Sequence, residues 1–172
     1  MAQTRLERSG SPTGWKRALF RAPVYIYRAR LGFLFGKRFL MLEHLGRKSG
    51  ATRYTVLETV VDDPGAVYVA AAWGDEAQWL RNIRAHPSIV FHLGSMRYPS
   101  VAEMVAEEEA VKLMQRYSRA HPAALRRLAR YMLEDPGETS DEQARRIAER
   151  VPLVRLPKGP GHQLSARQEG QT

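Results

Sequence analysis

The chain's 172 residues amount to a single domain, long enough to bury a sizeable core, and 27 Lys and Arg against 18 Asp and Glu give it a formal charge of +9 that favours anionic partners. The absence of cysteine excludes a disulfide framework, a thiolate nucleophile and a zinc–cysteine site, so redox chemistry has to come from a cofactor. No run approaches the roughly 20 apolar residues that span a bilayer, and the N-terminus lacks the apolar core of a signal peptide. Both point to a cytoplasmic protein, soluble or peripheral at the inner face of the membrane.

The charge is unevenly spread. Up to Arg53 there are 12 basic residues against Glu7 and Glu43, so the N-terminal third carries +10 and the remainder −1. Residues 1–14, with Ser9-Gly10-Ser11-Pro12 and little that is apolar, read as a disordered tail ahead of one domain at 15–156. Through 15–37, Trp15, Leu19, Tyr25, Ile26, Leu31 and Leu34 recur at roughly helical spacing, interleaved with Lys16, Arg17, Arg21, Arg28 and Arg30. This basic amphipathic helical segment suits a helix that covers the core, or one that rests on anionic lipid.

Arg38 to Leu45 and Ala51 to Val61 are dense in Leu, Val, Thr and aromatics and read as two strands of a hairpin. Between them lies Gly46-Arg47-Lys48-Ser49-Gly50. Its glycines free the backbone to turn and expose N–H groups, while Arg47, Lys48 and Arg53 place three positive charges within seven residues. Taken alone the segment is an ordinary solvated hairpin tip; with support from the rest of the chain it is an anion clamp for phosphate or carboxylate.

Asp62-Asp63-Pro64-Gly65 signals a turn, and Ala66 to Trp73 a third strand ending in Ala70, Ala71 and Ala72. Those small residues leave room for a flat ligand, or fit a tight sheet–helix contact. Asp75 is placed to cap a helix through Trp79, Leu80, Asn82 and Ile83 that ends at His86-Pro87, with Trp79 and Asn82 on one face. Ser88 to Leu93 and Met96 to Val105 read as strands around Gly94-Ser95, Pro99 implying an edge or bulge. The region 106–150 is helical, as Ala106 to Arg119, Pro122 to Leu133 and Asp141 to Arg150. Val151 to Leu156 returns as a sixth strand, and 157–172 reads as a second disordered tail.

Motif chemistry is mostly excluded. There is no phosphate-binding G-x-x-x-x-G-K-[ST] and no G-x-S-x-G elbow, and the scattered histidines at 44, 86, 92, 121 and 162 offer no metal-ligand pair. The basic charge alone permits nucleic-acid binding, but no zinc finger, RNP-like signature or helix-turn-helix supports it, so nucleic acid is disfavoured.

Two segments together resemble the deazaflavin (F420)-dependent nitroreductase family. They are Gly46-Arg47-Lys48-Ser49-Gly50 with Arg53, and Trp79-Leu80-Arg81-Asn82-Ile83-Arg84-Ala85-His86-Pro87, which is similar to that family's W-x-x-N-L-x-A-x-P stretch. Val151 to Leu156 resembles its barrel-closing strand. The resemblance covers residues 38–93 well and the rest loosely. It implies an α+β fold, a split β-barrel of about six mainly antiparallel strands, related to the flavin reductase and pyridoxamine phosphate oxidase-like superfamily. An N-terminal helix, a helix after the third strand and a helical C-terminal region accompany the barrel.

The implied cofactor is coenzyme F420, an 8-hydroxy-5-deazaflavin, with FMN as second choice. Gly46, Arg47, Lys48, Ser49, Gly50 and Arg53 would surround its phosphate and oligoglutamate tail, Ala70, Ala71 and Ala72 would border the flat ring, and Trp79 and Asn82 would stand beside it. Trp79 and Asn82 are equally readable as a core tryptophan and a capping amide. This chain departs from the family at Ala72-Trp73-Gly74-Asp75, where a small polar residue, a Lys and paired glycines are frequent. Trp73 either stacks on the ring in place of the missing cation or fills its space.

The implied function is hydride transfer from the reduced deazaflavin to a quinone, nitro or other conjugated small molecule, the cofactor supplying the hard chemistry. Tyr117 and Tyr131 are candidate proton donors, although their spacing with Leu113, Met114, Leu128 and Met132 also suits a core. A non-catalytic carrier of deazaflavin, flavin or an apolar ligand on the same barrel, and a basic nucleic-acid or membrane-surface module, are the rival readings.

Overall fold

The computed structural model describes residues 37–133 and 139–159 and the backbone of 162–163. The tail read at 1–14, all of the amphipathic segment except Lys37, and the side chain of Tyr131 lie outside the described residues. Eight strands form one sheet: β1 (Phe39–Leu45), β2 (Thr52–Asp62), β3 (Ala66–Ala70), β4 (Ser88–Leu93), β5 (Met96–Val101), β6 (Glu103–Met104), β7 (Leu153–Pro157) and β8 (His162–Gln163). Among the described residues four helices accompany them: α1 (Gln78–Ala85), α2 (Glu107–Ala120), α3 (Pro122–Met132) and α4 (Ser140–Arg150).

Every strand pairing is antiparallel, in the order β6-β7-β3-β2-β1-β4-β5-β8. Connectivity requires this sheet to curl. β5 and β6 are joined through Ala102 alone, yet stand six places apart in that order, about 29 Å in a flat sheet where one residue reaches about 3.5 Å. The ends therefore meet in a nearly closed barrel, and Ser100 Oγ of β5 donates to the Pro157 carbonyl of β7 at 2.7 Å.

Alternation along the strands sorts two cores. Val67 and Val69 of β3 point into the barrel with Leu40, Leu42, Leu80, Phe91, Leu93, Val154 and Leu156. Ala66 and Tyr68 point outward against α2, α3 and α4, joining Leu113, Met114, Tyr117, Leu125, Ala129 and Ile147. Buried on both faces, β3 reads as a continuous apolar run rather than an alternating one. In β1, Leu40, Leu42 and His44 share the inward parity.

Several boundaries differ from the sequence expectation. The strand expected over Met96 to Val105 is two strands: Ala102 lies opposite Pro87, whose carbonyl takes its N–H at 2.8 Å but which has no N–H to return, so pairing with β4 stops there and the chain crosses to β7. The third strand ends at Ala70 instead of Trp73: Ala71 lies opposite Pro152, whose carbonyl takes its N–H at 2.9 Å but which has no N–H to continue the ladder. Asp75 caps no helix. A 3-10 turn at Gly74–Glu76 precedes α1, which starts at Gln78 with no side-chain cap. Asp75 instead binds Arg84 through its carboxylate at 2.6 Å and Arg81 Nε through its carbonyl at 2.6 Å.

Pro99 sits where only β4 pairs with β5, as β8 reaches no further than Met96 and Arg97. Pairing also extends past Leu156 into the stretch read as a tail: Lys158 binds the Asp62 carboxylate and the Asp63 carbonyl, and β8 follows. With β6 and β8 the count rises from six strands to eight. Among the described residues no helix is long and apolar enough to cross a membrane.

Candidate functional site

The β1–β2 turn closes tightly on itself. The Gly46 N–H donates to the Ala51 carbonyl at 2.8 Å and the Gly50 N–H to the Gly46 carbonyl at 2.7 Å. Gly50 adopts φ +62°, the left-handed region that glycine enters without steric cost. Gly46 is buried, and a Cβ there would lie 2.9 Å from Ser49 Oγ, 3.4 Å from the Ala51 carbonyl and 3.5 Å from Arg53 Nε. The glycine thus admits the close approach of turn, cation and hydroxyl.

Helix α1 meets this turn from outside the hairpin, with Trp79, Leu80, Asn82 and Ile83 on its buried face. Asn82 is a cross-brace between them. Its Oδ1 accepts from both the backbone N–H and Nη1 of Arg47 at 3.1 Å, and its Nδ2 lies 3.3 Å from His44 Nδ1. Arg47 Nη1 also donates to Gln78 Oε1 at 3.0 Å. Arg47 is therefore a strut holding turn to helix, whereas Lys48 and Arg53 are exposed and, among the described residues, carry no ion pair.

Turn and helix enclose a cavity of about 520 Å³, within the range of small-molecule sites. Of the residues singled out in the sequence, Gly46, Arg47, Lys48, Ser49, Arg53, Trp79 and Asn82 line it. Gly50 shapes the turn without lining the cavity. Trp79 is 9% exposed and serves both as barrel core and as cavity wall.

The third-strand group lies elsewhere. Ala71 is fully buried in the barrel core, Ala70 packs toward the helices, and Ala72 and Trp73 are exposed, Trp73 at 65%. None of the four lines the cavity. Tyr117 sits in the helix-facing core, its hydroxyl donating to Glu58 Oε1 at 3.2 Å. Burial first, and then the Glu58 charge and hydrogen bond, push its pKa up to about 12. This tyrosine holds its proton and does not line the cavity.

Sequence reasoning missed four wall residues: His44, Tyr54, Thr55 and Gln78. Thr55 faces Leu42 across the inward ladder and His44 faces Arg53, so the parity of β1 was the available signal for both. Burial lowers the His44 pKa below its ordinary 6.5, and the Arg53 charge adds to this against the opposing Leu45 backbone.

The sequence profile of the F420H(2)-dependent quinone reductase family matches residues 19–130. The chain belongs to this family. Rv3178 of Mycobacterium tuberculosis, which bears the name F420H(2)-dependent quinone reductase, is 35% identical over 91 residues, 51% of this chain and 76% of the relative. Among solved structures, the F420-H2-dependent reductase FDR-A aligns with TM-score 0.50 at 21% identity, over 70% of this chain and 95% of that one. Rv2991 of M. tuberculosis aligns with TM-score 0.52 at 17% identity, over 84% and 92%. At such identities these two likenesses concern the fold, which is the split β-barrel. As a family member the protein is a deazaflavin-dependent oxidoreductase whose cofactor is coenzyme F420. The cleft suits that cofactor's chemistry: two exposed cations for phosphate and carboxylates, and aromatic walls at Trp79 and Tyr54.

Proposed function

We propose that the cleft between the β1–β2 turn and α1 binds coenzyme F420 and that this reductase acts on a quinone or a similarly conjugated small molecule. One observation carries the reading. The clamp at 46–53 and the helix face at 78–82, distant in sequence, line the same cavity.

Lys48, as a point charge, and Arg53, through its planar fork, bind the phosphate and glutamate carboxylates of the tail, both being without an ion pair among the described residues. Arg47 supports them indirectly by fixing the turn through Asn82 and Gln78. Trp79 and Tyr54 supply apolar surface that orients a flat ring and keeps water from it. When bound, the reduced coenzyme supplies a hydride. Trp73, exposed and outside the cavity wall, leaves that space open, and Lys48 with Arg53 carry the cationic role. The acceptor's apolar character fits a further role for the strongly basic stretch 15–37, attraction to an anionic membrane surface where quinones reside.

Oxidised coenzyme is fluorescent, so titration against the protein reads its affinity. Lys48→Ala with Arg53→Ala is expected to weaken binding at least tenfold and to change stability by less than about 1 kcal/mol, since both charges are exposed. Unchanged affinity would return the turn to an ordinary hairpin tip. Oxidation of the reduced coenzyme by a quinone, measured on the same preparation, reads the acceptor class.

A further inference from the structure

His44 is 5% exposed and forms part of the cleft wall, yet nothing above requires a histidine there. Its environment determines which ring nitrogen carries the proton. The backbone N–H and the guanidinium of Arg47 can only donate, and both lie 3.1 Å from one atom of the Asn82 amide. That atom must be the oxygen. The amino group then faces His44 Nδ1 at 3.3 Å, and because it donates, Nδ1 accepts. The neutral ring therefore carries its hydrogen on Nε2, the nitrogen that Asn82 does not engage; the Leu45 backbone is the other polar group acting on the ring. Burial favours the neutral ring.

We propose, resting on the assignment of the cleft to coenzyme F420, that His44 is a further binding residue: a neutral imidazole donating Nε2–H to an acceptor atom of the bound coenzyme, with Asn82 and Arg47 as positioning residues that set its tautomer. The chain Arg47 to Asn82 to His44 links the basic turn to the cleft wall in one direction of donation. Arg47 donates to Asn82, Asn82 donates to His44, and His44 donates to the ligand. A histidine with the other tautomer would offer the ligand a lone pair instead.

Two measurements test this on the full chain. The first needs no coenzyme: long-range proton–nitrogen NMR of the labelled imidazoles reports the tautomer directly. Expected is an Nε2–H ring at His44, and in Asn82→Asp, where a carboxylate replaces the donating amide, a proton on Nδ1. An Nδ1–H ring in the wild type overturns the proposal. The second is the dissociation constant for oxidised coenzyme, read on variants whose folding is checked by urea unfolding. His44→Gln, whose amide NH2 extends toward the Nε2 position, is expected to stay within about threefold of wild type, and His44→Leu and Asn82→Asp to weaken at least tenfold. Wild-type binding with an unimpaired His44→Leu overturns this proposal alone. No binding by the wild type overturns the cleft assignment, and this proposal with it.

Discussion

Replacing Asn82 with leucine keeps the branched shape of the side chain and removes its polar contacts with Arg47 and His44, leaving Arg47 to Gln78 between α1 and the β1–β2 turn. The Arg47 backbone N–H is part-buried and loses its partner, which costs about 1–3 kcal/mol for an unsatisfied donor. The guanidinium retains Gln78, so its loss is about 0.5–1 kcal/mol. The His44 Nδ1 contact, buried and long at 3.3 Å, adds up to about 1 kcal/mol, and the extra apolar surface of leucine returns part of this. The net expectation is a loss of about 2–3 kcal/mol. Urea unfolding of the coenzyme-free protein reads it as a fall in midpoint of about 1 M or more, for a slope of about 2 kcal/mol per molar. Gln78→Leu, at an exposed site with one contact, is the control and should stay within about 0.5 kcal/mol of wild type. A loss below 0.5 kcal/mol in Asn82→Leu, or equal losses in the two variants, would refute the cross-brace.

Acidification should also weaken the fold. Burial lowers the pKa of both His44 and His92 below 6.5, with Arg charges assisting; at His92 the Glu43 contacts oppose this. The unfolded chain then binds more protons than the native one below that value, so their contribution is complete above pH 6.5 and is lost as the pH falls through the lowered native values. Urea midpoints at pH 7.5 and 5.5 should differ in that sense, and His44→Gln should flatten the difference; a midpoint that rises on acidification would contradict the assignment. Flotation with anionic vesicles tests the role of the basic stretch: the full chain is expected to float and a chain lacking residues 1–37 to remain below, while equal flotation of both forms removes the docking role.

Much of this architecture is legible in the chain. The hairpin around Gly46 to Gly50 follows from two β-rich runs and two glycines, and the apolar run at β3 reads as a strand because both its faces are buried. The break at Ala102 does not, since residues 96–105 form an uninterrupted strand pattern and only the end of the β4 ladder at Pro87 and the switch to β7 divide it. Asp75 fits the local rule for a cap, but a 3-10 turn takes in Gly74–Glu76 and the helix starts only at Gln78.

The site divides along the same line. Basic residues at a turn announce an anion, but their roles depend on partners 31 to 35 positions away, which convert Arg47 into a strut and leave Lys48 and Arg53 available. Tyr117 has helical spacing compatible with either core or cleft, and the face that α2 turns toward β2 decides for the core. The tautomer of His44 is invisible to any one-dimensional reading, because it follows from the orientation of an amide on another element.

A crystal structure with coenzyme F420 bound tests the cleft assignment most directly. The expected result places the phosphate within hydrogen-bonding distance of Lys48 or Arg53 at the Gly46 to Gly50 turn, with the ring system against Trp79 and an acceptor atom on His44 Nε2. Coenzyme seated elsewhere on the barrel, with the turn and α1 untouched, would contradict it.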